Sequence, residues 1–223
     1  AKKLSFEKEI INQIIDKFPS VCAIHQHFNC TFTNWQPFYW RNFQQTTRYT
    51  YIIDNLDNLE KVYDNFQSKI RTDIKKAEKI VRVTSTEDIS LFYKVNKLTF
   101  SRQNMKIPYS VSDLQRIDNA CRTHKCRKIF LAKDAKGDIH SAAYIVYDND
   151  SAYYLMGGGN SQLRNSGATS LVLWEAIKYA STVSRKFDFE GSMIEPIERF
   201  FRGFGAKQVP FFVIFKINSR ILK

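Results

Sequence analysis

RKIFLAK DAKGD IHSAAYIVY DND SAYYLM, residues 127–156, decides the architecture. Three runs of β-branched, aromatic and small apolar residues are divided by two clusters of turn formers, Asp134-Ala135-Lys136-Gly137-Asp138 and Asp148-Asn149-Asp150. Such punctuation marks an antiparallel meander with strands at 127–133, 139–147 and 151–156. Side chains alternate between the two faces of a strand. In the middle run both sets, Ile139/Ala143/Ile145/Tyr147 and Ala142/Tyr144/Val146, are mostly apolar. A sheet with such a strand is covered on both sides.

Downstream, Gly157-Gly158-Gly159-Asn160 reads as a loop leading into a helix from about Ser166 to Val183. The polar positions Lys178, Ser181, Thr182 and Arg185 form one narrow stripe, so most of that helix is buried. A strand at Lys186–Glu190, a short helix opened by Pro196 and closed by Gly203, and a strand at Val209–Ile217 complete the chain. Upstream, Phe6, Ile10, Ile11, Ile14, Ile15 and Phe18 recur at helical spacing until Pro19. Strands are predicted at Val21–Phe28 and Arg48–Ile53, around an irregular aromatic stretch from Asn29 to Gln45. Two helices are expected between Asp54 and Ala77, then a strand at Ile80–Val83 and helices at about 86–100 and 112–124. The last carries Leu114, Ile117 and Cys121 on one stripe. The fold class is therefore α/β of the mixed α+β kind, a mostly antiparallel, twisted central sheet covered by helices on both faces.

The whole chain has 223 residues, 43% hydrophobic and 25% charged. These proportions exclude a disordered or collagen-like chain. No apolar run approaches the roughly 18 residues that cross a bilayer, and Lys2, Lys3, Glu7, Lys8 and Glu9 break up any signal-peptide core. A soluble protein is expected. Lysines and arginines number 34 against 22 acids, a formal charge of +12, which favours polyanionic partners. Cys22, Cys30, Cys121 and Cys126 are too few for a disulfide scaffold and read as reduced thiols of a cytoplasmic protein. The sequence opens at Ala1 without methionine and reads as trimmed or as part of a longer chain.

Four groups of residues could carry chemistry. Gly157, Gly158, Arg164, Asn165, Ser166, Gly167 and Ala168 join a strand to the start of a buried helix. Glycines admit a ligand close to the backbone, and the first helical turn leaves N–H donors unpaired for phosphate or carboxylate. Arg164 adds a bidentate donor. A loop merely capped by Asn165 and Ser166 explains the same residues. In Phe187-Asp188-Phe189-Glu190, strand alternation places Asp188 and Glu190 on one face, about 7 Å apart. Mutual repulsion favours a retained proton on one of them, and such a carboxylate can deprotonate an incoming ammonium. Pairing with one of the many arginines is the plainer reading.

The third group, Lys69, Arg71, Lys75, Lys76, Lys79 and Arg82, is either a rim for a polyanion or a solvated helix face. Trp35, Phe38, Tyr39 and Trp40 could stack on bases, though core packing explains them more simply. The fourth, Cys22, His25, His27 and Cys30, is split between strand faces, and Cys121, His124 and Cys126 lack a second pair, so no metal is expected.

The order meander, glycine-bearing loop, buried helix, strand, short helix and strand resembles the GNAT acyltransferase superfamily. That resemblance implies that backbone amides in a Gln/Arg-x-x-Gly-x-Gly/Ala pattern hold the pyrophosphate of coenzyme A. Arg164-Asn165-Ser166-Gly167-Ala168-Thr169 matches it except at Thr169. Ile70–Ala77, Phe187–Ser192 and Ile197–Ala206 look closer to one branch, the Fem-type aminoacyltransferases, whose members move an amino acid from its tRNA to a peptidoglycan precursor. The similarity covers about residues 55–223. It implies that residues 1–55 are a remnant or partial first GNAT-like lobe and that 56–223 form the acyltransferase domain. Coenzyme-A-dependent members often place a tyrosine on the short helix as general acid, where this chain has Phe200 and Phe201.

The expectation is a bacterial-type transferase that moves an acyl or aminoacyl group onto the primary amine of a small molecule or peptide. Two donors stay open, acyl-coenzyme A or aminoacyl-tRNA without any other cofactor. Asp188 and Glu190 would be the catalytic pair, and amides near Tyr154–Gly157 would polarise the donor carbonyl, a contribution of about 3 kcal/mol. The rival is a non-catalytic basic module that docks RNA or a protein scaffold on the same fold.

Overall fold

Asp134 organises the first turn of the meander. Its Oδ1 accepts the N–H groups of Lys136 and Asp138 at 2.9 Å each, and Gly137 takes the positive φ of +88° that the turn needs. In the computed structural model, residues 2–102 and 104–218 are described. They begin with α1 (Lys2–Asp16), β1 (Ala23–His27), α2 (Gln36–Trp40), β2 (Gln44–Ile53), α3 (Leu59–Asp64) and α4 (Ser68–Ala77). β3 (Val81–Ser85), α5 (Ile89–Arg102), α6 (Val111–Thr123), β4 (Arg127–Asp134), β5 (Ile139–Tyr147) and β6 (Ser151–Gly159) follow. A 3-10 turn (Arg164–Ser166), α7 (Ala168–Ala180), β7 (Lys186–Asp188), α8 (Glu195–Arg202) and β8 (Lys207–Ile217) end the series.

Residues 51–207 form one compact unit and the segments on either side form a second. In the larger unit the strand order is β2-β7-β6-β5-β4-β3. The meander β4-β5-β6 is antiparallel as expected, whereas β6 and β7 run parallel, with Ser151 opposite Lys186 and Tyr153 opposite Asp188. Alternation sorts the two cores cleanly. Phe130, Ala132, Ala143 and Ile145 point to a cluster that includes Ile70, Ile74, Leu171, Ile177, Phe201 and Phe204, supplied by α4, α7, α8 and the turn after it. Ile129, Leu131, Ala142 and Tyr144 point the other way, to Phe92, Val95 and Leu114 of α5 and α6. The sheet is covered on both faces, as the apolar β5 requires. α7 buries eight of its thirteen residues, which is why its polar stripe is so narrow.

Three local expectations are corrected. Gly157–Gly159 do not form a loop but prolong β6, pairing with Ala143, Ala142 and Ser141. On α6 the buried pair is Leu114 and Asp118, while Ile117 stays 47% exposed. Asp118 is drawn inward by polar partners: Arg127 forms a salt bridge with it at 2.9 Å, and Tyr144 Oη donates to it at 3.0 Å. Glu190 lies beyond β7 at φ +59°, so strand alternation no longer places it with Asp188.

In the smaller unit β1 lies antiparallel to β8, with Ala23 opposite Ile217. Its core is Ile11, Phe38, Phe43 and Ile214, so two of the aromatics between 29 and 45 are packing residues. That stretch also holds α2, opened by Pro37, where no element was expected. Of the predicted apolar face of α1, Ile11 is buried, whereas Phe6, Ile10 and Ile14 are exposed.

Candidate active site

The end of β6 is shaped by what packs against its glycines. A Cβ on Gly158 would lie 2.6 Å from Asn96 Cα of α5, and one on Gly157 would fall on the Tyr154 hydroxyl. These glycines therefore let protein approach the backbone, helix on one side and phenol on the other. Asn96 Nδ2 donates to Gly157 O at 2.5 Å, and Thr99 Oγ1 accepts the Gly159 N–H at 3.1 Å. Tyr109 Oη donates to Asn96 Oδ1 at 2.6 Å and fixes its orientation.

Beyond Tyr153 and Asp188 the parallel pairing ends, while β6 runs on to Gly159. The two strands part there. Across β5, Tyr144 opposes Met156 and Ile145 opposes Tyr154, so Leu155 is the extra residue of a β-bulge. A bulge beside the splay re-aims the backbone of β6 at the gap.

A cavity of about 480 Å³ opens at this place, lined by Gly157–Gly159, Asn160, Arg164, Gly167 and Thr169. α8 contributes Pro196, Ile197, Phe200 and Phe201 to its wall, and Asp73, Thr99, His140, Tyr154 and Ser170 complete it. Tyr154 stands edge-on to Phe201 at 6.0 Å, and burial of its hydroxyl end pushes the phenol well above its ordinary range. It keeps its proton at neutral pH.

Gly167 is the residue on which the helix start turns. It takes φ +78°, and a Cβ there would lie 2.3 Å from Asp73 O of α4. Its carbonyl accepts the N–H groups of Ser170 and Leu171, and the Ala168 N–H reaches Ser166 Oγ at 3.3 Å. Among the described residues, the Thr169 N–H meets no protein acceptor, whereas the Gly167 N–H closes the 3-10 turn towards Arg164 O. The helix start is thus largely filled by the protein's own groups and keeps the Thr169 N–H as a donor near the exposed Arg164. Thr169 Oγ1 accepts from Ser141 Oγ at 3.1 Å and stands in the cavity wall.

Of the residues singled out from sequence, Gly157, Gly158, Arg164 and Gly167 meet at the cavity. Asn165, Ser166 and Ala168 support it from behind: Asn165 O accepts Lys76 Nζ at 2.5 Å, and Ser166 and Ala168 are buried. Asp188 and Glu190 are outside the cavity lining, at the other lip of the splay. Asp188 is buried, and its Oδ1 accepts the Glu190 N–H at 2.8 Å. Glu190 reaches solvent, yet the protein around its carboxyl, and to a lesser degree the Asp188 charge, raise it to about 6.

Of the basic series, Lys69, Lys75, Lys79 and Arg82 are exposed, while Arg71 donates to Asp64 O and Phe66 O and so caps the end of α3. Among the described residues no three His, Cys, Asp or Glu side chains gather to hold a metal. His25 and His27 do meet each other, ring to ring at 4.9 Å. The side chains of Asp73, Asn96, Thr99, His140 and Tyr154 were not singled out from sequence, where Tyr154 entered only through its backbone amide. For His140 the signal was a lone imidazole inside an apolar strand.

Comparison with known proteins gives a family and a fold. The description "Acetyltransferase (GNAT) domain" matches residues 64–193. The structure is similar to the crystal structure of FemX, with a TM-score of 0.72 and 16% identity over 92% of this chain and 76% of FemX. It is also similar to the C-terminal domain of a putative lysylphosphatidylglycerol synthetase from Agrobacterium fabrum, at TM-score 0.57 and 10% identity, covering 80% of this chain and 63% of that one. L-PGS from Bacillus licheniformis gives 0.53 and 11%, over 83% and 66%. A search of curated proteins gives no match. No described helix is long and apolar enough to cross a membrane.

Proposed function

The chain belongs to the GNAT acetyltransferase family, and from that premise we propose that it transfers an acyl or aminoacyl group from an activated donor to a primary amine. The observation that carries this reading is the cavity at the splayed end of β6, whose wall holds Arg164, the Gly167 turn and Thr169, with the Thr169 N–H lacking an acceptor among the described residues. An anionic handle of the donor binds there, because an amide donor and a guanidinium together suit phosphate oxygens. The acyl carbonyl then lies along the bulged backbone at Leu155, whose N–H polarises it.

The amine enters through the gap between β6 and β7. It loses a proton to Glu190, whose raised carboxyl suits proton transfer near neutral pH, with Asp188 holding the turn behind it. As the tetrahedral intermediate collapses, the carbon–nitrogen bond remains and the bond to the donor's leaving atom breaks; that atom takes a proton from Tyr154, and the second proton shed by the nitrogen restores the phenol by way of solvent. This tyrosine fills the role left open by Phe200 and Phe201.

The donor is either acyl-coenzyme A or aminoacyl-tRNA. The exposed Lys69, Lys75, Lys79 and Arg82 have no ion-pair partner among the described residues, which favours the polynucleotide. Incubation with a primary-amine panel and either acetyl-coenzyme A or charged tRNA, read by mass spectrometry, tests the reading. Amide product with one donor is expected. No product with either donor, together with salt-sensitive RNA binding, would turn the assignment to a non-catalytic RNA-docking module.

A further inference from the structure

Asp134, His140 and Ser166 form a hydrogen-bonded line that the proposed chemistry leaves unused. His140, on β5, is only 6% exposed. Its Nε2 lies 3.2 Å from Asp134 Oδ2 and its Nδ1 2.9 Å from Ser166 Oγ. The Ser166 oxygen in turn accepts the N–H of Ala168, the first residue of α7, at 3.3 Å. The line therefore runs from the β4–β5 turn, past the cavity wall to which His140 belongs, to the start of α7.

Proton placement along it follows from the partners. The Asp134 carboxyl is held below the usual carboxylate range, chiefly by His140, so it accepts and Nε2 carries a hydrogen. With the ring neutral, Nδ1 accepts the Ser166 O–H and the Ser166 lone pairs remain for Ala168. Each group has one consistent role. Ser166 is not in the cavity wall, and its oxygen is engaged by the helix. The three groups thus act as a strut and not as a nucleophile with its base.

We infer that Asp134 and His140 are positioning residues: they hold Ser166, and Ser166 holds the Gly167–Thr169 backbone in the shape that receives the donor's anionic handle. This rests on the reading of that backbone as the handle's site. A glycine start is intrinsically permissive, and without bracing its ordering would be lost from the binding free energy. Asp73 O braces Gly167 from one side, and the strut braces the residues flanking it.

Asp134→Asn tests the strut selectively. Asparagine retains an oxygen for the N–H groups of Lys136 and Asp138, so the turn persists, but it presents an amide N–H to Nε2. The ring hydrogen must then move to Nδ1, and the Ser166 bond reverses. Inorganic pyrophosphate is titrated into the full chain and each variant by calorimetry, with ring nitrogen NMR shifts and melting temperature measured alongside. The expected result for Asp134→Asn is an Nδ1–H tautomer, an unchanged melting temperature and pyrophosphate binding weakened about five- to tenfold. Ser166→Ala, remote from the turn, should weaken binding by a similar factor. Binding equal to wild type in both variants, or a tautomer that does not switch, overturns the strut while leaving the handle site intact. No pyrophosphate binding by the wild-type chain overturns the handle site itself, and the strut falls with it.

Discussion

The two lips of the β6–β7 splay are built by different means. At the β6 lip, Gly158 and Gly167 sit where a Cβ would strike the backbone of Asn96 and of Asp73, so shape is set by helix backbone pressed onto strand and loop. At the β7 lip, Asp188 and Glu190 share a tight turn, one buried and bonded to the other's amide, and desolvation, with a smaller part from like charge, sets the chemistry. Substitutions at the first lip should therefore act through stability and donor affinity, and those at the second through the pH dependence of turnover.

The largest effect is expected at the charged lip. Glu190→Gln should lower kcat/KM for the amine about a hundredfold or more, the usual scale for a lost general base. Wild-type activity should rise with pH through about 6, since the carboxylate is the active form, and the variant should lose that limb. The sign for stability is opposite. A carboxyl raised in the folded state stabilises the fold at pH values below its ordinary range and loses that contribution as pH rises through about 6. Glu190→Gln should therefore leave the melting temperature at pH 7.5 unchanged or higher. A variant that melted earlier there, with its pH limb intact, would erase the distinction between the lips.

Next come the glycines. Gly167→Ala combines a positive φ with a Cβ 2.3 Å from Asp73 O. The two costs together are about 3 kcal/mol, or roughly 10 °C in Tm for a chain of this size. Gly158→Ala meets Asn96 Cα at 2.6 Å without the φ strain and should cost about 2 kcal/mol, with the Asn96–Gly157 hydrogen bond loosened as α5 gives way. Calorimetric melting ranks the pair. If Gly158→Ala proved the more damaging, the close approach of α5 would outweigh the conformational demand of the helix start.

Much of this was legible in residue order. The turn formers around β5 and its two apolar faces fixed the covered sheet, and Pro196 and Gly203 marked the ends of α8 to within a residue. The glycine triplet was misread because a strand that must admit a helix backbone and a loop that must admit a ligand need the same residue. Asp118 broke the expected stripe of α6 because Arg127 and Tyr144, distant in sequence, satisfy it. The strut of Asp134, His140 and Ser166 was invisible for the same reason, since its three members fall at the end of one strand, within the next and in a helix approach. Periodicity reports burial one element at a time. It cannot report a polar partner that arrives across the sheet.

Arg164 offers the smallest effect and the finest test of the contrast. It belongs to the shaped lip, yet it is exposed and acts by charge. Because Arg164 makes no ion pair among the described residues, its removal strands no partner and should leave Tm unchanged. Arg164→Ala should instead weaken pyrophosphate binding about tenfold at low salt, the scale of one charge-assisted pair. Arg164→Lys should recover only part of it, since an ammonium lacks the planar fork. The deficit should shrink as salt rises, because screening weakens exposed charges while the backbone N–H donor of Thr169 is less affected. A residual affinity at high salt that depends on Gly167 and not on Arg164 would separate the two contributions within one lip. It would make shape the part of the site that persists when charge is screened away.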